Sequence, residues 1–348
     1  MNILLTHNIR EYADVLSLFA GEVHIADNGM RYHAVANRPN IFPFQIPSGG
    51  RYSTIKFLAE YLIRHHIDVI YAQGTSDLIV YALARRLSSC KCRIIVTSHS
   101  SYAWQIPWKP PVVLALTRLL ADAFIFLAYC HYARWRTYCD KIGLASFHIG
   151  NPVDVNRFQP AATRRQPGSW NLGYVGVLRK QKGQSVLLEA AHLLRKQGIP
   201  VNVHLAGDIA DINYRRELDA LIAHYGLESA VLFYGRIEYD QIPAFLSTLD
   251  LYVCPSIMEM MPFNVLEAMA SGLPIVATSA GGIPDAVRPD IEGFLAPPGN
   301  AKILAECILK AMESSRYSIF SINSRSRAES EFSYHSISNK MKIMLEQI

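Results

Sequence analysis

The chain predicts an α/β protein made of two doubly wound domains. Three observations carry this. Its 348 residues exceed the usual size of one domain. Half of them are apolar, which supplies a sizeable core. Short apolar runs alternate with helical stretches of about a dozen residues, the pattern of parallel strands joined by crossover helices. In such sheets ligands bind beyond the carboxyl ends of the strands.

In the first half, residues 2–6 read as a strand, 11–20 as a helix and 22–26 as a second strand. Gly49-Gly50 precedes a helix at 52–64 and reads as a turn or a flexible loop. Strand 68–72, helix 77–87 and strand 93–97 follow, with His99 at the carboxyl end of the last. Residues 102–108 with Lys109-Pro110-Pro111 form an aromatic-basic loop, 112–121 an apolar helix and 123–127 a strand. Residues 129–141 mix Tyr, Trp, Arg and Lys. Aromatic and basic side chains together suit a membrane interface, or simply a packed helix and loop.

No run of eighteen apolar residues lacks charge. The nearest, 112–127, holds Arg118 and Asp122. The opening Met1-Asn2-Ile3-Leu4-Leu5 lacks the charged region and length of a signal peptide. Six cysteines are scattered, and Cys90/Cys92 has no second pair to complete a zinc site. Reduced thiols in a cytoplasmic protein are expected. Charge is uneven: residues 1–165 carry 18 Lys+Arg against 10 Asp+Glu, and residues 166–348 carry 16 against 19. A basic first half suggests an anionic partner there, a bilayer surface, a lipid diphosphate or nucleic acid; ordinary surface charge reads equally well.

The second half is organised around residues 255–274. Apolar 251–254 reads as a buried strand, 263–271 as a helix and 275–278 as the next strand. Pro262 suits the helix's first turn, Gly272 its left-handed cap, and Pro274 blocks continuation. Amides near Phe263 and Asn264 make an anion site at the helix start. Glu267, one turn in, suits a vicinal diol such as a ribose, and Glu259 lies before the helix, able to reach beyond the phosphates. Upstream, strand 172–175 leads into Gly176-Val-Leu-Arg-Lys-Gln-Lys-Gly183 and helix 185–196. The cations of that glycine-bracketed loop suit a diphosphate clamp. Strand 201–206 ends at Gly207-Asp208; helix 214–224, strand 231–234 and helix 240–247 follow. After 278, Gly281-Gly282 lets backbone approach a ligand, and Pro284-Asp285 starts a helix. Helical stretches at 301–312, 314–331 and 336–346 close the chain.

Glu259 and Glu267, seven residues between them, with the following Ala-Met-Ala-Ser-Gly-Leu-Pro-Ile-Val-Ala-Thr, resemble the donor-site signature of the retaining glycosyltransferases of family four, group 1. The resemblance covers most of the second half and, weakly, the first. It implies a GT-B fold, two Rossmann-like domains facing across a cleft. Residues 1–165 would bind the acceptor, 166–314 the donor, and 315–348 would be helices packing back on the first domain. Residues 147–160 resemble the family's segment before the linker, and 161–169 a polar hinge.

The resemblance implies transfer of a sugar from a nucleoside diphosphate sugar to an acceptor hydroxyl with retained configuration. The leaving phosphate would deprotonate the acceptor, without metal or other cofactor, and no Asp-x-Asp motif for a metal is present. His99, Glu259 and Lys182 take the catalytic roles. Arg179, Lys182, Glu259, Met261, Pro262, Phe263, Asn264 and Glu267 take the donor. Partners are then the nucleotide sugar, a glycan or lipid-linked saccharide acceptor and an anionic membrane surface on the cytoplasmic side, with no nucleic acid. Three positions depart from the family pattern: residues 6–10 lack its glycine-rich loop, Val177 stands where an arginine is usual, and Asp285 where glutamate is. Two rival readings stay open. One is an epimerase or sugar phosphorylase on the same fold; the other, prompted by Val177, is a binding module without catalysis.

Overall fold

The computed structural model describes residues 1–6, 10–27, 38–76, 78–99, 109–161 and 168–348. Residues 7–9 of the loop 6–10, the aromatic segment 102–108 and most of the hinge 161–169 fall outside these residues. The chain forms two compact units, Met1–Pro152 with Tyr334–Ile348, and Val153–Ser333.

The first unit holds a seven-stranded parallel sheet. Its strands are β1 (Asn2–Leu5), β2 (Glu22–Asp27), β3 (Ile41–Gln45), β4 (Ile67–Ala72), β5 (Arg93–Thr97), β6 (Ala123–Phe126) and β7 (Ala145–His148). They lie in the order β3-β2-β1-β4-β5-β6-β7. Central strands such as β6 are apolar throughout and fully buried, as a parallel sheet covered on both faces requires. The edge strand β3 holds Pro43, which only an edge tolerates, because proline lacks the ladder donor. Helix Tyr334–Gln347 belongs to this unit; the Leu345 carbonyl accepts from Arg93 Nη1 at 2.7 Å.

The second unit holds a six-stranded parallel sheet: β8 (Trp170–Val175), β9 (Val201–Ala206), β10 (Val231–Gly235), β11 (Leu251–Cys254), β12 (Ile275–Thr278) and β13 (Gly293–Ala296). Their order is β10-β9-β8-β11-β12-β13. The chain thus winds outward from β8, then returns to lay β11 on its other side. That reversal opens a crevice at the carboxyl ends of β8 and β11, where doubly wound sheets take ligands.

Helix Ser314–Arg327 and the π turn Ala328–Phe332 pack within this second unit, whereas the sequence assigned everything after 314 to the first. The reason lies in the side chains. Arg325 Nη1 donates to the carbonyls of Phe158 and Ala270, each at 2.6 Å. Ser321 donates to Gly272 O at 2.8 Å, and buried Phe320 meets Phe294 edge to face. Only from Tyr334 onward does the chain join the first unit.

One buried histidine sets a pH response. On β9, His204 Nδ1 lies 2.8 Å from the Tyr234 hydroxyl, and burial holds the imidazole below its ordinary 6.5. Beneath that value the unfolded chain binds a proton that the folded state refuses, so stability is full above 6.5 and declines as pH falls. Melting temperature in His204→Gln is expected to decline less steeply between about pH 7 and pH 5 than in the unaltered chain. Identical slopes would remove His204 as a cause.

All six cysteines are free thiols. Among the described residues no helix is long and apolar enough to cross a membrane.

Candidate functional site

Three loops leave the carboxyl ends of β8, β11 and β12, and they interlock. The first, 176–183, is pinned at Leu178, whose amide donates to Asp208 O at 2.8 Å. It then makes the 3₁₀ turn Lys180–Lys182 and stops at Gly183 in the left-handed region, φ 68°. A Cβ on Gly183 would lie 2.1 Å from Pro255 O, so only glycine lets the second loop approach this closely. That second loop, 255–262, donates two amides, Ile257 at 2.8 Å and Met258 at 3.3 Å, to the single carbonyl of Gln181. Thr278 on β12 donates its hydroxyl to Ser256 O.

The third loop carries Gly281, φ 55°, where a Cβ would lie 1.8 Å from Glu259 O, and the Gly282 amide donates to Met260 O. The glycine pair was expected to admit a ligand. What the structure shows is that Gly281 lets the backbone of 259–260 pass close by.

These contacts place the charges. Lys182 Nζ forms an ion pair with the Glu259 carboxylate, and the Ser256 hydroxyl donates to the same oxygen at 3.0 Å. The two side chains are only 16% and 9% exposed, so little solvent screens the pair. Lys180, two residues earlier, turns away to Glu217 at 3.0 Å. Arg179 is exposed, and among the described residues no carboxylate lies within ion-pair distance of it.

Helix Phe263–Ala270 begins where the second loop ends. Pro262 sits one position ahead of the first turn that the sequence assigned to it, with extended φ −74° and ψ 126°. The helix geometry leaves its first amides without intrahelical acceptors. Asn264 donates through Nδ2 to Val175 O, the last residue of β8, which ties the helix start to the first loop. Its Oδ1 is buried without a hydrogen-bond partner among the described residues. Glu267 is one turn in and 7% exposed. Met261 and Pro262 are buried, while Phe263 is half-buried. Gly272 adopts the expected left-handed cap, φ 65°. Beneath the site, burial pushes the Cys254 thiol up to about 12, so it is a packed neutral group.

The structure therefore gathers Lys182, Glu259, Met261, Pro262, Phe263, Asn264 and Glu267 on the loops and helix after β8 and β11, with Arg179 on the same first loop. His99 belongs to the first unit, just past β5. Its Nε2 lies 2.6 Å from Gln73 Oε1, and its ring meets Tyr12 edge to face at 5.8 Å. A carbonyl oxygen only accepts, so Gln73 sets the ring proton on Nε2. Sequence reasoning missed Gln73, Ser256 and the Gln181 carbonyl. Ser256, three residues before Glu259, was within reach of a spacing argument; Gln73, 26 positions from His99, was not.

Residues 155–328, half of the chain, match the family described as "Glycosyl transferases group 1". The chain is 28% identical over 218 residues to the putative colanic acid biosynthesis glycosyltransferase WcaL of Escherichia coli K12, covering 60% of this chain and 52% of that protein. It is 30% identical over 181 residues to the amylovoran biosynthesis glycosyltransferase AmsK of Erwinia amylovora, covering 50% and 44%. To the lipopolysaccharide core biosynthesis mannosyltransferase LpsB of Rhizobium meliloti it is 25% identical over 277 residues, 76% and 75% of the two chains. The chain spans about half the length of the first two relatives.

Among solved structures, Anabaena HepE in complex with UDP and glucose superposes with a TM-score of 0.79 at 22% identity, over 100% of this chain and 99% of that one. Sucrose-phosphate synthase from Thermosynechococcus elongatus gives 0.81 at 19%, over 99% and 98%. At these identities the likeness is one of fold, and the fold is the GT-B type that the sequence predicts. The matched half contains all three interlocked loops, and the chain belongs to the group 1 glycosyl transferases.

Proposed function

We propose that this protein moves a sugar from a nucleoside diphosphate sugar to an acceptor hydroxyl with retention of anomeric configuration, as a member of family four. The observation that carries the reading is the Lys182–Glu259 pair, which joins the loops after β8 and β11 beside the N-terminal turn of helix Phe263–Ala270. The donor's diphosphate takes Lys182 from Glu259, with Arg179 approaching from the same loop. Glu259, released, accepts from hydroxyls of the sugar, and Glu267 accepts from those of the ribose. As the bond to the phosphate breaks, negative charge grows on the leaving oxygens, where a lysine and aligned amides stabilise it most. The departing phosphate takes the acceptor's proton. The reaction so written needs neither metal nor cofactor. His99, with its proton held on Nε2 by Gln73, serves the transferred sugar or the acceptor.

Solved neighbours hold UDP and UDP-glucose, which supports a nucleotide-sugar donor. Relatives named for colanic acid, amylovoran and lipopolysaccharide core support a cell-surface glycan or lipid-linked saccharide as acceptor. A lipid-linked acceptor, free thiols and the basic first half fit a cytoplasmic enzyme working at the membrane face.

The test is a panel of uridine and guanosine diphosphate sugars offered with saccharide and lipid-linked acceptors, the product's anomeric configuration being read by NMR. Transfer with retention, unaltered by a chelator, is the expected result. Donor isomerised without acceptor would replace this reading by an epimerase, and donor bound but never transferred by a binding module. In Glu267→Ala the donor KM is expected to rise by roughly tenfold or more, from two lost hydrogen bonds to a buried carboxylate. An unchanged KM would remove Glu267 from the donor site.

A further inference from the structure

A second cluster of ligating side chains lies in the first unit, at the opposite end of the sheet from His99. Glu22 and His24 stand two apart on β2, so both project from the same face of the sheet. His65 follows immediately after helix Arg51–Arg64 and caps it. The helix end and the start of β2 are thus brought together. The carboxylate of Glu22 and ring nitrogens of His24 and His65 all lie within 4.8 Å of one another, and the Glu22 Oε2 to His24 Nε2 separation is 3.0 Å. His24 is 1% exposed, while Glu22 and His65 are partly open to solvent.

The surroundings hold the rings in place. His24 Nδ1 lies 2.9 Å from the Tyr61 hydroxyl. Tyr61 also packs on the His65 ring at 4.1 Å, and Phe42 stacks on His24 at 5.6 Å. A histidine held through one ring nitrogen and aimed at a carboxylate with the other has the orientation that metal sites build through their outer hydrogen bonds.

We propose that Glu22, His24 and His65 bind a divalent transition-metal ion, with zinc as the fitting choice. Two neutral imidazoles and one carboxylate are a ligand set that such ions favour over magnesium or calcium. A tetrahedral ion about 2.0–2.2 Å from each ligand wants its ligand atoms about 3.4 Å apart. Separations running from 3.0 Å to no more than 4.8 Å bracket that value, and the two partly open side chains supply the small closure. On binding, the His24 proton passes from Nε2 to Nδ1, where the Tyr61 oxygen accepts it, and Nε2 offers its lone pair to the ion. Water fills the fourth position. Such an ion braces β2 to the end of helix Arg51–Arg64 and takes no part in transfer.

The test is calorimetric titration of the metal-free full chain with Zn²⁺, read beside melting temperature. One equivalent is expected to bind at micromolar strength or tighter and to raise the melting temperature by a few degrees, roughly the shift such binding gives a chain of this size. Magnesium at the same concentration is expected to do neither. Glu22→Gln and His65→Ala, both at partly open positions, should each weaken zinc binding by roughly tenfold or more. Both should melt close to the unaltered chain in the presence of chelator and keep its transfer activity. No bound zinc, or zinc bound equally well by both variants, would overturn the proposal.

Discussion

Lys182→Ala is expected to lower kcat for transfer by about 10²–10³-fold, the usual cost of removing one group that stabilises charge developing on a leaving oxygen. The same substitution also strands the Glu259 carboxylate, 9% exposed, with the Ser256 hydroxyl as its remaining donor among the described residues. A charge left unpaired in so enclosed a place destabilises the fold, by about 3–5 kcal/mol when burial is complete and by less here. The two effects separate in the double variant Lys182→Ala with Glu259→Gln. Its melting temperature should recover, since the amide needs no counter-charge, while turnover should stay low. Single-turnover rates and melting curves on the three proteins check this. Turnover near that of the unaltered chain in Lys182→Ala would sink the proposed chemistry.

Gly281→Ala is the second large effect, and it acts without touching any ligand. Two costs combine at that residue. Its φ of 55° is a left-handed conformation that alanine adopts with strain, and the new Cβ would meet Glu259 O at 1.8 Å. A stability loss of about 1–3 kcal/mol is expected, together with a fall in transfer as the carboxylate shifts, because small misplacements of reacting groups are costly. Gly198 supplies the control. Its φ is 80°, yet a Cβ there would meet nothing within 4 Å. Gly198→Ala should therefore lose stability through backbone strain and keep its transfer rate. Equal loss of transfer in both variants would mean that general destabilisation, rather than displacement of Glu259, is responsible.

Much of this architecture could be read in advance because its signals are local. The strand, loop and helix around Glu259 and Glu267 announce themselves through an apolar run, a proline and a capping glycine within some twenty positions. The same holds for the loop between Gly176 and Gly183. What escaped was whatever depends on distant partners or on weak local pattern. β3 contains Pro43, which argues against a strand until its place at the sheet edge is known. β7 has no fully buried residue, and β13 hides among glycine and prolines that look like a loop.

The division near the end of the chain depends on Arg325, whose two carbonyl partners lie 167 and 55 positions away. No periodicity within 314–331 could report that. The need of Gly281 for a close approach was legible, but that the backbone of Glu259 is one object approached was not. At the site, the charged residues were visible by type, whereas the groups that hold them, Ser256 for Glu259 and Gln73 for His99, emerged only from the fold.

The Gln181 carbonyl takes amides from both Ile257 and Met258, so two segments more than seventy positions apart move as one piece. If these loops cradle phosphate as proposed, the entropic penalty of shaping them is met while the chain folds, well before a nucleotide arrives. Donor capture should accordingly be quick, with an association rate set by diffusion and charge rather than by a slow rearrangement of these two loops.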